Sequence, residues 1–207
     1  MRWRCFVRTC KVEVQTGFLL FLAAYYFIDP AHTFWPFCIA SALHEGGHIL
    51  ALRCNGVSIQ SICLKSSGTV IRVGELSYRQ ELLVTMAGPL VNVLLFLSTL
   101  RQFPPFALIN LGLFCYNMLP LYPLDGGRML RALLRLSLSH GIATGVEQGI
   151  GALCLLLLGG ASAYLTCVLH AGLWPVLICA FLYLRMGGTI SSISIFALDK
   201  WGNPCYN

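Results

Sequence analysis

Charge is what this sequence has least of. Of its 207 residues, 11% are Asp, Glu, Lys or Arg, against roughly 25% in an ordinary soluble domain. Hydrophobic residues make up 57% and mean hydropathy is +0.74. The shortage excludes a typical soluble globular domain and places the chain in the membrane class. Nor is there a basic tract with interleaved aromatics. The net charge of +6 is modest, so nucleic acid is not an expected partner. Ten cysteines are present, but no Cys-x-x-Cys, and several lie inside apolar runs. They read as small core-filling residues in a reducing or lipid setting rather than as metal ligands or bridges. Internal repeats, low-complexity tracts and a detached soluble domain are also lacking. The basic N-terminus leads into an apolar run without a small-residue cleavage site, so that run reads as a first membrane anchor.

What is there is a series of apolar stretches, at about 14–28, 33–53, 82–100, 103–119, 150–169 and 172–190. Crossing a bilayer takes about 20 helical residues, with a range of about 17–25. All but the first meet that length. The expected fold is therefore an all-α polytopic membrane protein of about six transmembrane helices, forming a single domain over residues 1–207. Basic residues set its orientation. Arg2, Arg4, Arg8, Lys11, Arg53, Lys65, Arg72, Arg79, Arg128, Arg131, Arg135, Arg185 and Lys200 collect on one side, leaving Arg101 on the other. By the positive-inside rule both termini are cytoplasmic, which requires an even number of spans.

Between the second and third spans, VSIQSICL and TVIRV flank KSSG. Two β-branched runs around a turn predict a small β-hairpin at the cytoplasmic face, with Gly68 as a turn residue. Non-helical backbone at membrane depth is tolerated only against protein or water.

One polar cluster interrupts the second span: SALHEGGHILAL, residues 41–52. Ionisable side chains inside a membrane segment are costly and mark function by default. His44-Glu45-Gly46-Gly47-His48 is an H-E-x-x-H pattern. On a helix, residues four apart share a face, so two imidazoles can grip one metal ion. The glutamate beside the first histidine can reach a water on that metal and act as general base. Neutral imidazoles and a carboxylate suit zinc, which in catalytic sites keeps three protein ligands and an open position. The competing reading is a chance match whose histidines bond to neighbours.

A third ligand is needed. His32, His140, His170, Asp29, Glu75, Glu81, Asp125, Glu147 and Asp199 are the candidates. Asp125 is the strongest, because NMLPLYPLDGGR (117–128) breaks the fourth span at Pro120 and Pro123. Gly126 and Gly127 then permit close backbone approach. Its alternative role is N-cap of a helix over 126–136. Glu147 reads as interfacial. Gly141, Gly145 and Gly149, spaced by four, suit close helix packing.

These motifs, together with Ala87-Gly88-Pro89-Leu90-Val91-Asn92, resemble the site-2 protease family of intramembrane zinc metalloproteases. The match covers about residues 34–136, a three-helix catalytic core flanked by helices at 14–28 and 150–190. The compact size looks most like the bacterial branch that includes the stage IV sporulation protease. The resemblance implies one Zn²⁺ per chain, held by His44, His48 and Asp125, with Glu45 activating water. It implies that Asn117 lies near the scissile carbonyl and helps hold substrate or oxyanion. Alternatively, Asn117 satisfies backbone freed by Pro120. Gly88, Pro89 and Asn92 are expected to kink the third span and pack it on the second.

The expected substrate is a membrane-embedded or membrane-associated protein, cleaved in or beside its transmembrane segment. A regulatory membrane protein is a further partner the resemblance admits, and the lipid bilayer is the setting. The hairpin at 57–73 is expected to offer a strand edge to an unwound substrate, with proline in Val57–Leu64 as the test. The active-site opening is expected at the cytoplasmic face. A competing class is a transporter or metal-handling protein using the same His/Asp cluster. A single site without a second copy speaks against it.

Overall fold

A computed structural model describes residues 11–29, 32–65, 68–170 and, within 172–183, all but 174 and 178. Six helices and a small sheet are laid out in the order β1 (Lys11–Val14), α1 (Thr16–Ile28), α2 (Phe34–Cys54), β2 (Ile59–Lys65), β3 (Gly68–Val73), α3 (Tyr78–Thr99), α4 (Pro104–Asn117), α5 (Asp125–Ser137) and α6 (His140–Cys167). Residues 175–177 and 179–183 are also helical.

Local chemistry accounts for several boundaries. The Asp29 carboxylate accepts from the Phe34 amide (2.7 Å) and the Thr33 hydroxyl (3.0 Å), tying the start of α2 to the end of α1. Such acceptors satisfy amides that a helix start leaves unpaired. Ser77 and Gln80 form a reciprocal capping box that opens α3. α4 ends at Asn117, three residues before Pro120, as the loss of a backbone donor at proline requires.

α3 is the hub, packing against α2, α4 and α5. α5 packs in turn on α6. Leu121 and Leu124, in the segment between α4 and α5, form a buried cluster with Leu182, and Leu155 and Leu158 of α6 pack against it. The metal-proximal loop is thus held from behind by apolar contact.

Two described helices, Tyr78–Thr99 and His140–Cys167, are long and apolar enough to cross a membrane by length and composition. α1 is apolar but has only 13 residues. α6 begins at His140, ten residues before the expected span. About half of the expected span at 172–190, including all of 184–190, lies outside the described residues. α5 is an amphipathic helix, with Asp125 in its first turn and Arg135 in its last.

The expected hairpin is present. β2 and β3 pair antiparallel, with Leu64 opposite Thr69 and Lys65 opposite Gly68. Gly68 has φ +121°, a conformation glycine adopts without steric cost. One correction follows from the N-terminal segment. β1 pairs parallel with β2, from Lys11↔Ser61 to Val14↔Leu64, so the sheet order is β1-β2-β3. β2 is therefore a central strand. Proline in Val57–Leu64 would disrupt the sheet itself, and among the described residues the hairpin's open edge belongs to β3. A second correction concerns Gly141, Gly145 and Gly149. Among the described residues a Cβ at any of them would meet nothing within 4 Å, so no described helix packs closely on them.

Candidate metal centre

α2 carries His44 and His48 one turn apart, and both are buried. Their rings meet edge to face at 4.8 Å between centroids. Asp125 comes from the first turn of α5 and is 7% exposed. It does not cap that helix: Leu124 occupies the N-cap position, without a side-chain hydrogen bond. The carboxylate points instead at both imidazoles. His44 Nε2 lies 3.1 Å from Asp125 Oδ2, His48 Nε2 lies 3.2 Å from the same oxygen, and the two Nε2 atoms are 3.1 Å apart.

These separations fit one small cation. Ligand atoms at the Zn–N distance of about 2.0–2.1 Å stand about 3.3–3.4 Å apart at the corners of a tetrahedron. Three donors already sit near that spacing, with a nitrogen–nitrogen–oxygen donor set that suits zinc. Among the described residues, this is the group of three His, Cys, Asp or Glu side chains able to hold a metal ion.

The approach of the elements depends on missing side chains. A Cβ on Gly88 would fall on the rings of His48 and His44. Gly126 and Gly127 let α5 start directly against the backbone of Met118, Leu119 and Leu121. The peptide bond Tyr122–Pro123 within this turn is cis.

Both histidines are oriented through their other nitrogen. His48 Nδ1 donates to the Val84 carbonyl (2.8 Å), and His44 Nδ1 donates to Asn92 Oδ1. That leaves each Nε2 with a lone pair facing Asp125, the arrangement a metal-binding histidine needs. Asp125 lies outside the two helices long and apolar enough to cross a membrane. Burial works to raise its pKa, but when the rings of His44 and His48 are protonated at both nitrogens, their donation and positive charge outweigh it and hold the carboxyl well below the usual range.

Asn92 is where the sequence reading fell short. Expected only to help pack α3 on α2, it is fully buried and bonded to a metal-facing histidine. The signal was available: an amide in an apolar helix needs a buried partner.

Three of the other candidates do other work. Asp29 caps α2, and Glu81 pairs with Arg128 at 3.6 Å. Glu147 is not interfacial but buried, in a two-pronged ion pair with Arg131. Asp199 lies outside the described residues. Glu45 is half-buried, with His44, His48, Asp125 and Thr69 of β3 among its neighbours. Asn117 donates its amide to Leu113 O within α4 (3.0 Å). No described hydrogen bond joins it to the histidines or Asp125.

Comparison with known proteins adds three findings. A sequence profile of peptidase family M50 matches residues 97–158, a range that holds Asp125 but not the histidines. A zinc metalloprotease of Methanocaldococcus jannaschii is 32% identical over 171 residues, covering 72% of this chain and 50% of its own. A Synechocystis sp. relative, provisionally named a zinc metalloprotease, is 28% identical over 172 residues, covering 73% of this chain and 45% of its own. The chain thus spans about half the length of these two relatives. Among solved structures, a site-2 protease from Methanocaldococcus jannaschii matches with a TM-score of 0.61 at 27% identity, covering 84% of this chain and 87% of that one.

Proposed function

The chain belongs to the site-2 protease family, and on that premise we propose that it is a zinc-dependent intramembrane endopeptidase. Its substrate would be a membrane-embedded or membrane-associated protein, cut in or beside a transmembrane segment. One observation carries this reading: His44, His48 and Asp125, 81 residues apart at the extremes, converge three buried donors on one point. Among the described residues the competing transporter reading has no second site to support it.

Zinc held by these three residues would supply Lewis acidity, acidifying water and polarising the scissile carbonyl. Glu45 is the general base that takes the water proton, and later passes it to the leaving amine. Thr69 of β3 is its neighbour at the margin of the centre. Asn117 lies at the end of α4 next to the loop that delivers Asp125. Released from Leu113, its amide could donate to the developing oxyanion.

A helical peptide bond is shielded by its own hydrogen bonds, so the substrate must first extend. β3 has one unpaired edge among the described residues, and Thr69 of that strand is a neighbour of Glu45. An extended substrate added to β3 would run past the base. The fold belongs to a membrane-embedded family. We assign a multi-pass arrangement with both termini and the site opening on the cytoplasmic side, supported by the one-sided distribution of Lys and Arg.

Zinc per polypeptide tests the centre without a substrate. Detergent-purified wild type should hold about one zinc, with His48→Ala and Asp125→Ala holding almost none. Wild-type protein that binds no zinc under non-chelating conditions would remove the basis of the protease reading. Zinc retained by Asp125→Ala would require a different third ligand.

A further inference from the structure

We propose that Asn110 of α4 is a positioning residue for the metal centre, acting through Asn92 to lock His44 in the tautomer that leaves Nε2 free. The inference rests on the zinc reading above and adds residues that touch no metal. Asn92 and Asn110 are both fully buried. Asn92 Nδ2 donates to Asn110 Oδ1 (2.9 Å), and Asn110 Nδ2 donates to the Phe106 carbonyl (2.9 Å). With His44 Nδ1 on Asn92 Oδ1, one continuous relay runs from α4 through α3 to α2.

The direction of that relay is fixed at its far end. A main-chain carbonyl only accepts, so Asn110 must turn its NH₂ toward Phe106 and its oxygen toward Asn92. Asn92 must then present NH₂ to Asn110 and oxygen to His44. The imidazole is left to donate from Nδ1, and its Nε2 keeps the lone pair that a metal requires.

His48 shows why His44 needs this help. Its Nδ1 faces the Val84 carbonyl directly, an acceptor that cannot reverse. The acceptor for His44 is a side-chain amide, and an amide can turn end for end. Turned, it would donate to Nδ1, place the ring proton on Nε2 and point that proton at Asp125. Asn110 removes this alternative. Two amides in an apolar interior are also costly unless fully paired, and this pairing accounts for their presence.

The test compares wild type, Asn110→Leu and Asn110→Asp by ¹⁵N NMR of the histidine rings in metal-free protein, at a pH where the rings are neutral. Zinc affinity is measured in parallel by competition with a chelator. Wild type should show His44 with its proton on Nδ1. Asn110→Leu should show mixed His44 tautomers, an unchanged His48, and zinc binding weakened by about tenfold, the low end of effects from residues behind metal ligands. In Asn110→Asp a neutral acid can donate to Phe106 and accept from Asn92, so the Nδ1 proton should return. His48 reports whether each variant is folded around the site.

A single Nδ1–H tautomer and unchanged zinc affinity in Asn110→Leu would overturn the proposal. If the leucine variant also disturbs His48, the aspartate variant decides, and mixed His44 tautomers there overturn it. Wild type that binds no zinc but loses its His44 tautomer in Asn110→Leu would sink the protease reading and leave the relay standing.

Discussion

Arg131 of α5 grips Glu147 of α6 with both Nε and Nη2, at 2.7–3.0 Å, while its guanidinium lies 3.7 Å above the centre of the Tyr122 ring. Tyr122 stands three residues before Asp125. Asp125 is thereby braced against α6, which also packs on the apolar cluster around Leu121 and Leu124.

Breaking this pair on one side leaves a largely buried charge alone, which typically costs about 3–5 kcal/mol. Glu147 is the more buried partner, so Arg131→Met should destabilise more than Glu147→Gln. The double variant Arg131→Met/Glu147→Leu should recover much of the loss. Thermal unfolding in detergent reads all three. Equal and additive losses would mean that the ions act independently.

Gly88 and Gly46 offer a paired steric prediction. A methyl at Gly88 would occupy the space of both imidazoles, whereas one at Gly46 meets nothing within 4 Å. Gly88→Ala should lose zinc by at least about tenfold in affinity, the scale for disturbed ligand orientation. Gly46→Ala should bind as wild type, although both glycines sit in or against the same motif. Normal zinc binding by Gly88→Ala would show that α3 can retreat from the histidines.

The centre was legible where chemistry is encoded by short spacing. His44 and His48 announce a shared helix face, and Pro120, Pro123, Gly126 and Gly127 announce a tight turn that delivers Asp125. What stayed hidden depends on partners far apart in the chain. Asn92 joins His44 across 48 residues and Asn110 across 18, and no periodicity records either contact. Glu147 looked interfacial because its position before an apolar run was visible and its partner Arg131 was not. β1 went unforeseen because KVEV is four residues long, and pairing with β2, not local pattern, makes it a strand.

Acid should release the metal through the histidines. Ligation needs neutral imidazole, and an ordinary histidine protonates below about pH 6.5. Asp125, held below the usual carboxylate range by His44 and His48, stays ionised as pH falls through that window. Protons therefore compete with zinc at nitrogen before they compete at oxygen. Zinc occupancy followed by equilibrium dialysis should decline between about pH 7 and pH 5 and recover on return to neutrality. Affinity unchanged down to pH 5 would contradict imidazole ligation.

Glu45→Gln separates binding from chemistry. The amide keeps the shape and a contact for Thr69 but cannot take a proton. General bases contribute about 10²–10⁴-fold, so cleavage of a membrane substrate should fall by at least about 100-fold while zinc stays near one per chain. Asn117→Ala should also keep zinc and lower kcat more than it raises KM, the pattern for an interaction made in the transition state. Full cleavage by Glu45→Gln would hand the base role to another group.

The β3 edge can be tested strand by strand. Consecutive residues of a strand point their N–H groups to opposite edges. At Val70 and Ile71, one amide therefore serves the pairing with β2 and the other faces the open side. Proline at the first kind of position breaks the hairpin. At the second it leaves the sheet intact and removes a donor from an incoming strand, while its ring crowds the edge. Val70→Pro and Ile71→Pro should thus both slow cleavage, but only one should alter hydrogen exchange across β2. The variant with an undisturbed sheet should keep its zinc and lose about tenfold or more in kcat/KM. If that variant cleaves at the wild-type rate, the substrate reaches Glu45 without pairing to β3.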